Sequence, residues 1–111
     1  MKDDQYWGVL DEIASERQRQ IEKEGWSQVH DDKHRDGELA LAATFYAMPK
    51  RLRKVWGRSS AARGFGPLVK NVPYGWPWSP EWWKPKSTRR DLVRAAALIV
   101  AEIERLDRSK P

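Results

Sequence analysis

The sequence predicts an all-α fold: three main helices forming a bundle, completed by oligomerisation, with an irregular Trp/Pro-rich insertion before the last helix. Two observations carry this. Three stretches place apolar residues at helical spacing. Helix punctuation also falls where those stretches begin and end, with Gly25 and Pro49 as stops and Ser87-Thr88 as a start. At 111 residues the chain is read as a single helical domain, 1–111, with a small core.

The first helix is expected over about residues 4–24. Asp3 or Asp4 can cap it, and acids in its first turn suit the helix dipole. Trp7, Leu10, Ile13, Ala14 and Ile21 mark its apolar side, which Arg17-Gln18-Arg19-Gln20 interrupts. Residues 26–35 read as a polar connection. A second helix follows from about Asp36 to Met48, with Leu39, Ala42, Ala43 and Tyr46 on one face, and Pro49 ends it. Residues 49–86 form the insertion: a short helical turn near Lys50 to Trp56, a Gly/Ser/Arg-rich stretch from Gly57 to Gly66, then the Trp-Pro segment. The third helix is capped by Ser87 or Thr88, and Thr88-Arg89-Arg90-Asp91 resembles a capping box with Asp in place of Glu. Its Leu92, Ala96, Ile99, Ile103 and Leu106 alternate four- and three-residue steps, a seam suited to helix packing, so these side chains are expected in the core or at a subunit interface. Ala95, Ala97 and Val100 widen that surface. Three such helices do not complete a core easily, which points to a homo-oligomer.

Charge is unevenly divided. Residues 1–49 carry eleven acids and six bases, whereas residues 50–90 carry eleven bases and only Glu81. A split of this kind suits acidic and basic parts that face each other, or a basic site on an acidic frame, rather than nonspecific nucleic-acid binding. Without cysteine there is no disulfide and no thiolate metal site. No apolar run reaches membrane-spanning length, and the acidic N-terminus lacks a signal-peptide core. The expectation is a soluble, cytoplasmic protein with no membrane partner.

The candidate site centres on Trp76-Pro77-Trp78-Ser79-Pro80-Glu81-Trp82-Trp83-Lys84-Pro85-Lys86, which leads into Arg89-Arg90-Asp91. Indole faces stack on bases, and Arg and Lys hold phosphates. The competing reading is that the indoles fill the core. Because one segment has limited access to a small core, at least one indole is expected to line a cavity with Arg89, Arg90 or Arg94, near the N–H donors of the helix start. His30, Asp31, Asp32, His34, Asp36 and Glu38 fall within nine residues. Such a set suits a divalent metal, although carboxylates there also cap the second helix, and the His-Glu-x-x-His pattern is absent. Ser59, Ser60, Ser79 and Ser87 form no recognisable nucleophile site, and the glycines at 57, 64 and 66 form no Walker loop. Arg58 and Arg63 suit either a phosphate grip or a solvated loop.

Three segments resemble the phage-type MazG-like proteins of the all-α nucleoside triphosphate pyrophosphohydrolase superfamily: Glu16-Arg17-Gln18-Arg19-Gln20-Ile21-Glu22-Lys23-Glu24-Gly25-Trp26, Gly37-Glu38-Leu39-Ala40, and Arg90-Asp91-Leu92-Val93-Arg94-Ala95-Ala96-Ala97. The resemblance implies magnesium held by acids on two helices. Glu38 and Asp91 match motif acids, but His34 and Arg35 replace the paired glutamates, and Arg90 replaces the acid beside Asp91. Those exchanges weaken a magnesium site and favour direct contact with phosphate. The functional expectation is a binder of a nucleotide or nucleotide-derived signal, with ligand contacts at Trp26, His34, Arg35, Trp76, Trp78, Trp82, Trp83, Lys84, Arg89, Arg90 and Arg94, no catalytic residue and no cofactor. Its phage character would make it a protein that sequesters a host immune signal in the host cytoplasm. The alternatives are a magnesium-dependent pyrophosphohydrolase using Glu38 and Asp91, and an inhibitor that binds a host protein. Nucleic acid is not the expected partner.

Overall fold

The computed structural model describes residues 2–26, 28–53, 72–73 and 75–109. Four α-helices occur among them: α1 (Lys2–Glu22), α2 (Gln28–Asp32), α3 (Glu38–Ala47) and α4 (Thr88–Arg108). The described residues include no strand, so the all-α expectation is met. No helix there is long and apolar enough to cross a membrane. The expected Gly57 to Gly66 stretch lies outside the described residues, as do Trp56, Arg58, Arg63 and the two serines between them.

Helix boundaries follow local chemistry. Gly25 takes a left-handed conformation (φ +74°) after α1, which folds the chain back so that the Trp26 N–H reaches the Gln20 carbonyl at 2.9 Å. The expected polar connection contains a helix the periodicity missed, α2, whose five residues are too few to show a period. In α3, Met48 is extended (φ −67°, ψ 134°), as the residue before a proline must be, and Pro49 follows. Residues 50–53 form a further helical turn. Ser87 caps α4 by accepting the Arg90 N–H, while the Asp91 carboxylate reaches back to the Lys86 N–H at 2.7 Å. The N-cap is therefore Ser87, and Asp91 holds the N–H of the residue before it instead of closing a capping box on Thr88.

α4 packs against all three other helices, most extensively α3. Their contact is close because it is built from small residues: Ala42 and Ala43 on α3, Ala95 and Ala101 on α4, with Leu39, Phe45, Tyr46 and Leu98 filling the remaining space. Trp26 and Trp83 complete this core, and Trp76, Trp78 and Trp82 pack against it.

Leu92, Ile99, Ile103 and Leu106 were expected in the core or at a subunit interface, and within the chain they are not core. Leu92, Ile99, Ile103 and Leu106 are 49%, 48%, 53% and 47% exposed in the single chain. The buried face carries Asp91, Arg94, Ala95, Leu98, Ala101 and Arg105. This face also steps by threes and fours, but its polar members hide it from a hydrophobic-periodicity reading. They are buried because each finds a partner. Asp91, fully buried, accepts from Arg53 Nη1 at 3.1 Å. Arg53 also donates to the carbonyls of Phe45 (2.9 Å) and Tyr46 (2.6 Å), closing the C-terminal end of α3. Asp31, likewise fully buried, accepts from Arg17 Nη2 at 2.6 Å. Glu16 is 1% exposed and faces Arg19, Arg90 and Arg94.

Removing one member of a buried pair strands the other in a low-dielectric interior, at a cost of about 3–5 kcal/mol. Arg53→Met leaves Asp91 with one donor, Lys86 N–H, and opens the end of α3, so it should lower unfolding stability by about that amount. Urea denaturation followed by circular dichroism checks this, and an unchanged midpoint would contradict the assigned role of the pair.

Candidate functional site

The four indoles of the Trp-Pro segment divide into two groups. Trp83 is buried, stacks near Tyr46 (4.7 Å between ring centroids, planes 30° apart) and lies under the Arg53 guanidinium at 5.1 Å. Trp76 sits edge-on to Tyr46 (5.7 Å, 88°) and Trp83 (4.9 Å, 64°), and its Nε1 donates to the Ser79 carbonyl. These two pack the core. Trp78 meets Trp76 edge-on (5.5 Å, 85°), and both it and Trp82 tilt against Trp26 at 5.4 and 6.4 Å.

The segment is fixed by one hydroxyl. Tyr46 Oη accepts the Lys84 N–H at 3.0 Å and donates to the Trp82 carbonyl at 3.3 Å. Arg94 Nη1 donates to the Lys84 carbonyl at 2.5 Å and approaches the same hydroxyl at 3.4 Å. The short 3₁₀ turn Pro80–Trp82 starts with proline, whose fixed φ presets the bend.

Trp26, Trp78 and Trp82 wall an open cavity of about 280 Å³, together with Glu24, His30, His34 and Ser79. Trp26 lies parallel to the His30 ring (6.0 Å, 9°), and Trp78 lies against His34 (5.4 Å). The Trp78 Nε1 is buried and has no hydrogen-bond partner among the described residues. An unpaired buried donor of this kind costs free energy. At the rim, Lys84 Nζ stands 5.1 Å from the Trp82 ring and 3.3 Å from Glu24 Oε2, and Arg19 holds the other Glu24 oxygen at 3.1 Å. Burial pushes the Glu24 carboxyl up, but hydrogen bonds and charge from Arg19 and Lys84 outweigh it and hold the group below the usual carboxylate range.

The remaining predicted residues lie elsewhere. Arg35 lines a separate cavity with Asp32, Arg105 and Arg108. Arg89 pairs with Glu12 on α1 at 2.7 Å, and Arg90 with Glu16. Arg94 is buried under the Trp-Pro segment. None of these three arginines lines the aromatic cavity, because the acids of α1 engage them. Glu38 and Asp91 belong to separate networks. Glu38 accepts from the Asp36 N–H (2.7 Å) and pairs with His34 (3.3 Å), whereas Asp91 serves Arg53 and Lys86. No group of three or more His, Cys, Asp or Glu among the described residues is arranged around a metal position. His30, Glu24 and Ser79 line the cavity outside the expected ligand contacts, and of these the sequence singled out only His30, within a candidate metal cluster. The four-residue spacing of His30 and His34 was the available signal for the first.

No protein-family model, curated protein or solved structure matches the chain.

Glu16 gives the clearest pH dependence. Burial raises its carboxyl, but the hydrogen bond from Arg19 and the charges of Arg19, Arg90 and Arg94 outweigh this and lower it below the ordinary value of 4.5. Its unfolded-state pKa is therefore the higher one. As pH falls, the unfolded chain takes up the proton first and stability is lost. The contribution of Glu16 to stability should be level above about pH 5 and be lost progressively below about pH 4.5. Thermal melts across pH 3–7 check this: Glu16→Gln should start less stable at pH 7 and show a shallower acid decline. An equal acid slope in both proteins would contradict it.

Proposed function

We propose that this chain binds a small nucleotide-derived ligand in the Trp26–Trp78–Trp82 cavity and retains it without hydrolysis. The observation that carries this reading is the cavity walled by three indoles, Trp26, Trp78 and Trp82. Three indoles offer faces for a flat base. The Glu24 carboxylate suits an exocyclic amino group, and Lys84 is placed to exchange Glu24 for a phosphate. The volume lies near the lower end of the about 300–1,000 Å³ typical of small-molecule sites, which favours a mononucleotide over a dinucleotide.

Binding is preferred over hydrolysis because the carboxylates that the MazG-like resemblance would assign to magnesium are engaged by Arg53, His34 and backbone N–H groups. The phage character that the resemblance implies extends the proposal to capture of a host signalling nucleotide in the cytoplasm.

Calorimetry with mono-, di- and cyclic nucleotides and ADP-ribose, in buffer containing a chelator, tests this. Trp82→Ala removes a stacking face worth about 1–3 kcal/mol and should weaken binding at least tenfold. Trp78→Ala removes a second stacking face and should weaken binding by a similar factor. No binding by the wild type, or binding that survives both changes, would refute the pocket and favour the host-protein inhibitor. Magnesium-dependent pyrophosphate release abolished by Glu38→Gln would restore the hydrolase.

The same proposal includes self-association through α4. Leu92, Ile99 and Leu106 are seven residues apart and exposed, with Ile99 central. Two copies of α4 run antiparallel would place each Leu92 against a Leu106 and the two Ile99 side chains together, a self-complementary two-fold contact. Light scattering should give a dimer mass or a multiple of it, and Ile99→Asp should yield a folded monomer. A monomeric wild type at micromolar concentration would overturn this part alone.

A further inference from the structure

A second cavity, of about 360 Å³, shares no described lining residue with the aromatic one. Its walls are Asp32 at the end of α2, Arg35 in the turn before α3, Arg105 and Arg108 in the last turn of α4, and Ser109. Three guanidinium groups from distant parts of the sequence thus surround one space.

They are unequally neutralised. Arg105 is only 8% exposed and is held in place, with Nε and Nη2 donating to the Glu102 carboxylate at 2.6 and 3.1 Å. Arg108 spends Nε and Nη2 on a single oxygen, Asp32 Oδ1, at 3.2 and 2.9 Å. Arg35 has no carboxylate partner among the described residues. Its hydrogen bond runs from Nε to the Asp32 carbonyl at 3.4 Å. Both terminal nitrogens of Arg35, and Nη1 of Arg105 and of Arg108, therefore keep their N–H groups for another acceptor. Cations in the last turn of a helix also answer its dipole. That accounts for Arg105 and Arg108 but not for Arg35, which lies outside α4. The end of α4 is in any case closed by Ser109, whose N–H donates to the carbonyls of Arg105 (3.1 Å) and Leu106 (3.2 Å) and whose hydroxyl donates to Leu106 at 2.8 Å.

We infer that this cavity is a site for the doubly charged phosphate group of a small free molecule. Planar guanidinium forks match the oxygens of carboxylates and phosphates. A carboxylate offers two oxygens, and three forks arriving from separate segments call for a group that offers more. Charge selects the same ligand. The three arginines face two carboxylates, Glu102 and Asp32. Asp32 is 48% exposed and uses one oxygen, so it can turn to solvent as the anion takes its place on Arg108. A dianion there balances the three arginines together with Glu102, whereas a monoanion repeats what Asp32 already does. Arg105 is the preset contact, and Arg35 and Arg108 close on the ligand from either side. The volume exceeds that of a lone phosphate and suits a phosphorylated small molecule.

This site is separate from the proposed nucleotide cavity, and the probe is inorganic phosphate, which has no ring to stack on an indole. At about pH 8 it is a dianion. The full chain in low-salt buffer is titrated with sodium phosphate, with sodium chloride at matched ionic strength as reference. The backbone amide signals of Arg35 and Ser109 should move and saturate at one ion per chain in phosphate only. Calorimetry should show binding weakened about tenfold by Arg35→Gln and by Arg108→Gln, each removing charge-assisted hydrogen bonds. Arg35→Lys keeps the charge without the fork and should recover part of that loss. Asp32→Asn removes the competing carboxylate and should tighten binding several-fold. These side chains are on the surface, and circular dichroism checks that each variant is folded. Shifts reproduced by chloride, saturating shifts confined to other residues, equal affinity in both glutamine variants, or no tightening in Asp32→Asn would each overturn the inference. Loss of nucleotide binding in Trp82→Ala bears on the other cavity, so the two readings fail separately.

Discussion

Buried guanidinium–carboxylate pairs hold this small fold together. Asp31, Asp91 and Glu16 all lie in the interior, and each meets an arginine from a different part of the chain. Arg17 joins α1 to α2 and, through Glu104, to α4. Arg53 joins the end of α3 to the start of α4. Arg94 joins α4 to Glu16 of α1 and to the Trp-Pro segment. Replacing such a pair with apolar residues is often neutral, whereas halving it is severe. The pairs therefore constrain geometry more than they supply net stability, and the alanine-rich contact of α3 with α4 supplies the close packing between them.

The aromatic cavity inherits its shape from those joints. Arg17 holds Asp31 and the Trp26 carbonyl, and so sets the places of His30 and of one indole wall. Arg94 and the Tyr46 hydroxyl hold residues 82–84, and so set the opposite wall. Binding surfaces placed on irregular segments are precise only when the backbone behind them is pinned. Here the pins belong to α1, α3 and α4.

Much of this was legible in the sequence, and the failures have physical causes. Gly25, Pro49 and Ser87 gave the ends of the long helices because backbone chemistry acts locally. The five-residue α2 stayed hidden because it is shorter than two turns. The division of the four indoles between core and cavity was not readable, since it depends on Tyr46, thirty-six residues before Trp82. On α4 the core half of the expectation failed. Leu92, Ile99, Ile103 and Leu106 advertise an apolar seam, yet the chain buries the seam containing Asp91, Arg94 and Arg105. A charged residue reads as solvent-facing in any periodicity argument, and only its partner, remote in sequence, reverses that reading. The arginines at the start of α4 were taken for phosphate ligands for the same reason, because Glu12 and Glu16 are more than seventy residues away.

The two seams of α4 also bear on how the chain avoids competing packings. Judged by apolar content alone, the helix would settle with its leucine–isoleucine stripe against α3. A rotation of α4 by about one residue, roughly 100°, would move Asp91 and Arg94 out of the interior. Arg53 would then remain inside without its carboxylate, and Glu16 would lose Arg94 while keeping Arg19, its neighbour on α1. The misrotated arrangement gains hydrocarbon burial and loses several ion pairs at once, and the second effect is the larger per group. The acids and bases of the core thus work like the wards of a lock, admitting one azimuth of the final helix and leaving the greasy stripe outside.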